Sequence, residues 1–595
     1  MKVRRQRAMV VLVWFTIVYV TILVSAQDES KRTGMDSPNV LHVSSLLVNQ
    51  YREKAREMFD HSFGSYMQHA YPEDELQPIS CKGRRRSESN RGDMDDVLGD
   101  YSLTLIDSLS TIAVVGNRTE FEKAVWRVVE GVKFDAHVIV SVFEVTIRIL
   151  GSLLSAHILA APADHMCLST IPPSVFPRGV KHVEVRPGCV NDNFESPLAL
   201  HNYTGELLHL AIELGYRLLP SYTESPTDIP YSRVHLHLAE PVRSRKLNCL
   251  AGAGSSILEM AVLSRLSGIP DFETAAKKTV CALWSRRSRL NLIPSMIDVE
   301  TGRWKSASSG IGAGSDSFYE YLLKGYILLG DRELLSMFQD SYEAVMEYNN
   351  VNDWYLDVHA DSGSVTKQTI DSLQMFWPGV QVLNGDIVRA IEAHRRYYSV
   401  WKLFSFVPEN FSPFNGDHMR TGYVLRPEFV ESTFHLFHAT GNEEYLTVGM
   451  EVLDSIENHT RTPCGYAAIN NVGERKLRLE DTMDSFFIAE TVKYLYLLFD
   501  GNHFLHKLNT MFTTEGHIFP IIKALQYPIE EYSCLASIPP AATTETFEGN
   551  PEAQCLHLPI CGNSTLSTSF AHLSLSKESH RPKSSPTVAA AGLEF

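Results

Sequence analysis

Apolar residues recur with a helical spacing from about residue 45 to residue 500. Apolar positions three or four residues apart predict amphipathic helices, whereas the alternating pattern of a half-buried strand is rare. Glycine follows several of these helices and an acidic or amide residue begins the next, as in Val115-Gly116-Asn117 and Leu329-Gly330-Asp331. These residues commonly bound helical hairpins. Hairpins repeated over this length predict an all-α toroid or solenoid, and a toroid encloses a central cavity.

The most apolar predicted helix, residues 138–160, carries Glu144 and Arg148 in its middle. Its length would span a bilayer, but ionisable groups are costly inside a membrane, so the two charges argue against a transmembrane helix. Residues four apart share one helix face, so the carboxylate and the guanidinium can pair. This segment alone leaves two interpretations equally open. One is a structural ion pair in the core, and the other is a carboxylic acid placed in a cavity for chemistry.

The N-terminus has the pattern of a secreted protein. Lys2, Arg4, Arg5 and Arg7 precede an apolar run that ends in small residues before Gln27. This predicts a signal peptide over residues 1–26, with an uncleaved membrane anchor as the alternative. In either case the body of the protein enters the secretory lumen. Five Asn-X-Ser/Thr sequons agree with that compartment and are candidate glycan acceptors on surface loops: Asn117, Asn202, Asn410, Asn458 and Asn563.

The formal net charge of -16 disfavours a nucleic-acid partner. Nine cysteines lie far apart without a CxxC pair, which argues against a zinc site and favours disulfides in an oxidising lumen. An odd number leaves at least one thiol unpaired within the chain. Composition divides the chain into a polar linker at 27–44, a helical domain at 45–526 with a proline-rich loop at 161–200, and a Pro/Ser/Thr-rich tail of low order at 527–595.

Carboxylates stand beside apolar or aromatic residues on several predicted helices. These are Glu144, Glu259, Asp316 with Glu320, Glu428 with Glu431, and Glu490. Each alone is explained by a helix dipole or a solvated face. On the inward faces of a toroid, however, they would cluster and raise one another's pKa, so that one could act as an acid and another as a base. An acid and a base beside aromatic side chains that can stack on sugar rings indicate a glycosidase. The oxygens of clustered carboxylates are also suitable ligands for Ca²⁺.

The sequence resembles the class I α-1,2-mannosidases, glycoside hydrolase family 47, over residues 45–525. The resemblance rests on motifs in the family's order: Thr104-Leu-Ile-Asp107, Phe143-Glu144-Val-Thr-Ile-Arg148, Gly314-Ser-Asp316-Ser-Phe-Tyr-Glu320, Leu425-Arg-Pro-Glu428, Phe486-Phe-Ile-Ala-Glu490 and Thr514-Glu515-Gly-His517. Within the family it looks most like the ER degradation-enhancing α-mannosidase-like branch, especially its second member. The segments that point there are Gly310-Ile-Gly-Ala-Gly314, Asp353-Trp-Tyr-Leu356 and Phe376-Trp-Pro-Gly379.

The resemblance implies an (α/α)₇ barrel with Ca²⁺ at its base. By position, Glu144 matches the family's general acid, Asp316 a carboxylate that acts as an acid through water, and Glu428 the general base of an inverting mechanism. Thr514 matches the residue whose hydroxyl and carbonyl oxygens bind Ca²⁺. The residues that match the lining of the sugar and calcium site are Arg148, Glu259, Glu431, Glu490 and Glu515.

The resemblance also implies a disulfide between Cys81 and Cys464. Ser372 stands where the processing mannosidases have a histidine and Gly314 where they have an arginine, as in the degradation-enhancing branch. Two features depart from that branch itself: the loop at 502–512 before Thr514 is short, and Thr482 replaces an expected arginine.

The implied function is the trimming of high-mannose N-glycans on misfolded glycoproteins in the endoplasmic reticulum lumen, which targets them for degradation. The alternative is a lectin-like adaptor of the same pathway that binds mannose with little or no turnover, and the short loop favours it. A third hypothesis is a mixed disulfide with a thioredoxin-like oxidoreductase through the tail cysteines Cys534, Cys555 and Cys561.

Overall fold

The computed structural model describes residues 43–167, 171–172, 175, 194–414, 418–526 and 532–534. Several predictions therefore lie outside the described residues. They are the N-terminal signal at 1–26, most of the linker at 27–44, the centre of the loop at 161–200, nearly all of the tail at 527–595, the sequon at Asn563, and Cys189, Cys555 and Cys561.

Fourteen principal helices follow one another along the described residues. They are α1 Ser45–His69, α2 Leu109–Val115, α3 Arg118–Gly131, α4 Val142–Ala160, α5 Glu206–Leu218, α6 Ile257–Ser267, α7 Asp271–Trp284, α8 Asp316–Leu329, α9 Arg332–Ala344 continued to 349, α10 Trp377–Leu383, α11 Ile387–Phe404, α12 Glu428–Thr440, α13 Glu444–Thr460 and α14 at 487–499. Shorter helices cover Leu103–Asp107, Pro220–Thr223 and Leu250–Gly254.

The predicted toroid is confirmed. The even-numbered helices each contact the next, and α14 contacts α2, so they form a closed inner ring. The odd-numbered helices pack outside this ring. From α3 onward each is the second half of a hairpin, for example α7 against α6 and α9 against α8, whereas α1 packs against α14. Every residue of α6 and of the segment Gly151–Ala160 in α4 is buried. An apolar surface on all sides of a helix is typical of a buried position, and the architecture is an (α/α)₇ barrel.

The helix boundaries follow the residues that predicted them. Asn117 caps α3 in a reciprocal capping box with Glu120, and Asp331 caps α9 by accepting hydrogen bonds from the backbone of Glu333 and Leu334. Gly330, at the end of α8, has a φ of 74°, a left-handed conformation that costs glycine no strain. Local sequence therefore sets the turn between the two helices of a hairpin.

Short strands connect the helices, and all of their pairings are antiparallel. The sheets are Glu75–Gln77 with Lys82–Arg84; Ile139–Ser141, Arg233–His235 and Glu240–Pro241; Leu247–Cys249 with Met296–Asp298; Ser308–Ser309, Asp357–His359 and Val365–Lys367; Asn350–Val351 with Trp354–Tyr355; Ile370–Asp371, Asn410–Phe411 and His418–Arg420; Arg461–Thr462 with Gly465–Tyr466; Ala468–Ile469 with Leu479–Glu480; and Thr510–Phe512 with Ile518–Pro520.

Helix α4 is long and apolar enough to cross a membrane by composition, and among the described residues no other helix meets that test. It is nevertheless a core helix, because 83% of its most apolar stretch is buried inside the barrel. The interpretation of the 138–160 segment as a non-membrane helix agrees with this burial.

The disulfide between Cys81 and Cys464 is confirmed, and it links segments 383 residues apart. A second disulfide, which the sequence did not predict, joins Cys281 of α7 to Cys534. The amide of Cys534 and the hydroxyl of Ser533 also donate hydrogen bonds to Glu333. The start of the predicted low-order tail is therefore attached to the barrel, and Cys534 is not free for a mixed disulfide. Cys249 is the free thiol among the described cysteines.

Replacing both Cys81 and Cys464 with serine should lower the free energy of unfolding by about 2–5 kcal/mol, because the disulfide restricts the unfolded chain over a very long loop. The shift of the urea unfolding midpoint measures the effect. Cys249→Ser is the matched control. It changes a thiol that caps a helix by accepting from the Gly252 amide, and serine can cap in the same way. Equal stability of the double variant and the control would contradict a structural role for the disulfide.

Three described sequons, at Asn117, Asn202 and Asn458, are exposed, although Asn458 lies within α13 and not on the predicted surface loop. Asn410 differs, since it lies in a short strand and is only 7% exposed. Both residues of that strand, Asn410 and Phe411, are buried, so the expectation of a surface loop is wrong at this position. A folded barrel does not present Asn410 to a glycosylating enzyme.

Candidate active site

Glu144 and Arg148 lie at the start of α4 and form the predicted pair. The Ser141 hydroxyl accepts from the Glu144 amide and begins the helix. Arg148 Nε donates to Glu144 Oε2 at 2.9 Å, and Arg148 Nη1 donates to Glu515 Oε2 at 2.6 Å. The guanidinium therefore joins two carboxylates, one of them on a residue 367 positions away from Arg148 in the chain. It also lies 5.4 Å from the centre of the Phe486 ring.

The electrostatics keep Arg148 charged. Burial disfavours the cation, but the carboxylates of Glu515 and Glu144 raise the pKa of Arg148 well above its ordinary value. The Glu144 side chain is 32% exposed, against 13% for that of Arg148. Of this pair, the carboxylate is thus the group that an incoming ligand can reach.

The helices that carry Arg148 and Glu490 share a backbone irregularity. Val145–Leu150 in α4 and Phe487–Thr491 in α14 are π-helical. Wide turns of this kind are rare and occur frequently at functional sites. They alter the angular spacing of side chains along the helix.

Asp316 begins α8, and its carboxylate accepts a hydrogen bond of 2.8 Å from the Ser317 amide. Burial raises the pKa of Asp316 to about 8, and the negative charges of Asp371, Glu320 and Glu428 act in the same direction. A carboxyl with this pKa is protonated at neutral pH, so Asp316 can donate a proton there.

Glu428 begins α12, directly after Pro427 at the N-cap position. Burial raises the pKa of Glu428 to about 7, although the nearby Arg426 guanidinium opposes the shift. Arg426 Nη1 lies 3.6 Å from Glu428 Oε1. Glu409 holds this arginine by accepting two hydrogen bonds of 2.6 Å from its Nε and Nη2. Glu428 is thus poised to accept a proton near neutral pH.

Further carboxylates converge from the inner helices. Burial raises the pKa values of Glu431 and Glu490 well above their ordinary range, and burial raises that of Glu515 to about 8. Lys324 of α8 is ion-paired with Glu320 and lies 3.9 Å from Glu431. This lysine partly balances the negative charge.

A buried network holds the turn that presents Thr514 and Glu515. Lys493 Nζ donates to the Ser110 hydroxyl at 2.9 Å and to the Gly516 carbonyl at 2.6 Å. His517 Nδ1 lies 3.2 Å from the same hydroxyl, and its Nε2 lies 3.3 Å from Asp107 Oδ1. The strands Thr510–Phe512 and Ile518–Pro520 pair completely on either side. The end of the short loop at 502–512 therefore pairs regularly with the strand that follows Thr514.

The oxygens near Thr514 are of the type that Ca²⁺ prefers. Tyr321 donates to Glu259 Oε1 at 2.6 Å, and its hydroxyl accepts from the Thr514 amide at 3.4 Å. Glu259 Oε2 is buried without a hydrogen-bond partner among the described residues. Burial raises the pKa of Glu259 to about 8. Among all the residues that the structure describes, no group of three or more Asp, Glu, His or Cys side chains is arranged to hold a metal directly.

Sequence reasoning missed several members of this site: Lys324, Lys493, Tyr321, Arg426 with Glu409, and the Ser110–His517 contact. A signal did exist for the two lysines. Each lies in an apolar helix, four residues after Glu320 and three after Glu490 respectively, which is the same argument that identified Arg148 beside Glu144.

Comparisons with known proteins identify the family of the chain. The family model described as glycosyl hydrolase family 47 matches residues 58–521. The chain is 43% identical to ER degradation-enhancing alpha-mannosidase-like protein 3 of Xenopus laevis, over 79% of this chain and 49% of that protein. It is 40% identical to human ER degradation-enhancing alpha-mannosidase-like protein 2, over 78% of this chain and 73% of that protein. It is also 40% identical to Alpha-mannosidase I MNS4 of Arabidopsis thaliana, over 84% and 74%.

These identities do not separate the second member of the degradation-enhancing branch from the third, so the predicted closeness to the second member is not resolved. The chain spans about half the length of the Xenopus relative. The solved structure of an alpha-1,2-mannosidase from Trichoderma reesei shares the fold, with a TM-score of 0.66 and 22% identity over 80% of this chain and 99% of that chain. The chain therefore belongs to glycosyl hydrolase family 47.

Proposed function

We propose that this protein is an inverting α-1,2-mannosidase that removes mannose from high-mannose N-glycans. The observation that supports it most is that Asp316, at the start of α8, and Glu428, at the start of α12, lie on the same inner ring of helices and interact electrostatically. Asp316 has a pKa of about 8, and Glu428, beside Arg426, has a pKa of about 7. Inverting glycosidases need one carboxyl to protonate the leaving oxygen and another to remove a proton from the attacking water.

In the proposed mechanism Glu144 donates a proton to the glycosidic oxygen, directly or with Asp316 acting through water. Glu428 takes a proton from the water that attacks the anomeric carbon from the opposite face. Arg148 holds Glu144 in place through its 2.9 Å hydrogen bond and is itself held by Glu515. This arrangement keeps the acid oriented while the sugar enters and leaves.

Thr514 would supply hydroxyl and carbonyl oxygens to Ca²⁺, with Glu259, Glu490 and Glu515 nearby to balance the charge. The unpartnered Glu259 Oε2 and the oxygen-rich surroundings fit such a cation. Since these carboxyls are not arranged as a direct cage, water would complete the coordination shell. When bound, the ion supplies a positive charge that orients sugar hydroxyls.

The proposed setting is the endoplasmic reticulum, with misfolded glycoproteins as substrates. The names of the relatives and the N-terminal sequence pattern support it. The lectin-like adaptor remains the alternative, and the regular strand pairing on either side of Thr514 weakens the observation that favoured it. A thioredoxin-like partner would have to use a cysteine other than Cys534, because that residue is bonded to Cys281.

The anomeric form of the first released mannose tests the mechanism. Proton NMR during the first minutes of hydrolysis should show β-mannose before mutarotation, because inversion converts an α-linkage to a β-product. Release of α-mannose first would contradict the assignment of Glu428 as a base that acts on water.

The pH dependence of kcat/KM should be bell-shaped, with its maximum between about pH 7 and pH 8. As pH falls through the Glu428 pKa of about 7, the base becomes protonated and activity is lost. As pH rises through the Asp316 pKa of about 8, the proton is lost and activity falls again. Initial rates measured from pH 5 to pH 10 check both limbs, and Asp316→Asn should remove the alkaline limb. An alkaline limb that persists in this variant would assign it to another group.

A further inference from the structure

A small buried cavity lies behind Glu428, between the start of α12 and the outer helix α11. Its lining includes Ser372, Trp401, Val407, Tyr423, Arg426 and Glu428. The space open to the centre of a water molecule is about 10 Å³, close to the minimum of about 10–15 Å³ that one buried water needs. Glu144, Asp316, Glu490 and Glu515 do not line it. The cavity therefore extends from Glu428 toward Trp401 of the outer helix α11.

Polar atoms around this cavity are unpaired. The Tyr423 hydroxyl and Glu428 Oε2 are both buried and have no hydrogen-bond partner among the described residues. Arg426 Nη1 is 3.6 Å from Glu428 Oε1, which is too long for a direct hydrogen bond, so this nitrogen can donate to a water beside the pair. Buried polar groups are normally satisfied, and leaving one unsatisfied is costly.

We propose that one buried water occupies this cavity, bridging the Tyr423 hydroxyl to Glu428 Oε2, and that Tyr423 is a positioning residue for the base. This inference rests on the proposed function, because it assigns Glu428 as the base. The water donates one hydrogen to the carboxylate and has a second for another acceptor. It accepts from the phenol and from Arg426, giving it the two to four polar partners that buried waters use.

The frame around the water is rigid. Glu409 holds Arg426 with two hydrogen bonds and also accepts from the Ser372 hydroxyl at 3.3 Å. The Tyr423 ring packs against Phe406, with the ring centres 4.9 Å apart, and against Trp401 at 6.1 Å. The phenol therefore cannot swing to another partner without disturbing the packed aromatic side chains.

The bridge stabilises the ionised form of Glu428. A hydrogen bond donated to a carboxylate favours the charged state. The charged or titratable groups that also face Glu428 are Arg426, Glu409, Asp371, Asp316, Glu431 and Glu490. None of these groups changes when only the Tyr423 hydroxyl is removed. A shift in the pKa of Glu428 can therefore be assigned to loss of the water bridge.

Tyr423→Phe tests the bridge by deleting one oxygen. The acid limb of kcat/KM should move to higher pH by about 0.5–1 unit, with a roughly three- to tenfold loss of rate below the limb. Tyr397→Phe is the matched control. Its hydroxyl is also buried and unpartnered, but its ring packs against Trp354 and does not line the cavity. An unmoved acid limb in Tyr423→Phe, or an equal shift in the control, overturns the proposal.

Val407→Ile provides a second variant, since it fills the cavity and leaves the phenol in place. It should move the acid limb in the same direction as Tyr423→Phe. A crystal structure of the full chain shows directly whether the water is present, and this test does not require catalytic activity. A water within 3.2 Å of both Tyr423 Oη and Glu428 Oε2 supports the proposal, whereas a dry cavity or a direct Tyr423–Glu428 hydrogen bond overturns it. If the wild-type protein releases no mannose, the proposed function fails while the crystal structure still decides the water site.

Discussion

Replacing Glu144 with glutamine should reduce the release of mannose by about 10²–10⁴-fold, the usual contribution of a general acid or base. The amide cannot donate a proton of suitable acidity to the leaving oxygen, but it keeps the size of the side chain. Its amide oxygen can still accept from Arg148 Nε, which now lies 2.9 Å from Glu144 Oε2. Initial rates with an α-1,2-linked mannose disaccharide measure the loss.

The control for this variant is Glu300→Gln, on a surface turn where the carboxylate accepts from Tyr231. It should keep wild-type activity. Binding of the disaccharide to Glu144→Gln should persist, since the loss concerns the chemical step. Activity within a few-fold of wild type would contradict the role of Glu144, and a loss of both binding and thermal stability would point to a structural role.

Replacing Lys324 with methionine should lower the free energy of unfolding by about 3–5 kcal/mol at pH 7, because removal of one partner leaves buried carboxylates without a countercharge. Lys324 is 1% exposed and lies between Glu320 and Glu431. The loss should shrink as pH falls toward 5, because burial raises the pKa of Glu431 and a carboxyl of this kind costs less to protonate at lower pH. Urea unfolding at both pH values measures the effect.

Two variants control for the change of side chain. Lys402→Met removes an exposed lysine that pairs with Glu451, and should cost less than about 1 kcal/mol. Glu320→Gln combined with Lys324→Met should recover part of the lost stability, since it removes one of the orphaned charges. A double variant as unstable as the sum of its two single variants would contradict coupling between Glu320 and Lys324.

The fold was largely predictable because its boundaries are local. Asn117 and Asp331 cap helices through their own side chains, and Gly330 ends one through its own φ. Each signal acts within a few residues, so it can be read without knowing the partner helix. The closing contact between α14 and α2 is different, since it joins distant parts of the chain, and only the repetition of hairpins indicated it.

The site was predictable only in part. The Glu144–Arg148 pair follows from the four-residue spacing of a helix, and the structure confirms it. The contact of Arg148 with Glu515 crosses 367 residues, and the role of Glu515 came from family resemblance alone. Helix spacing cannot predict such a contact, because it depends on how the ring closes.

Other features eluded prediction because their residue types usually have a different role. A lysine such as Lys493 is expected on the surface. It is nevertheless fully buried, and its ammonium donates hydrogen bonds to the Ser110 hydroxyl and the Gly516 carbonyl. Burial lowers the pKa of Lys493 to about 8. Asn410 reads as a glycan acceptor but faces inward from a strand of two residues. In both cases the tertiary environment outweighs the average behaviour of the residue type.

Mannose release from a high-mannose glycoprotein by the purified full chain, with and without a calcium chelator, tests the central claim most directly. The measurement should include wild type and the Glu428→Gln variant. The account predicts release by wild type that the chelator abolishes and added Ca²⁺ restores, with little release by Glu428→Gln in any condition. Retained glycan binding without released mannose in the wild type would contradict the enzyme assignment and favour the lectin-like adaptor.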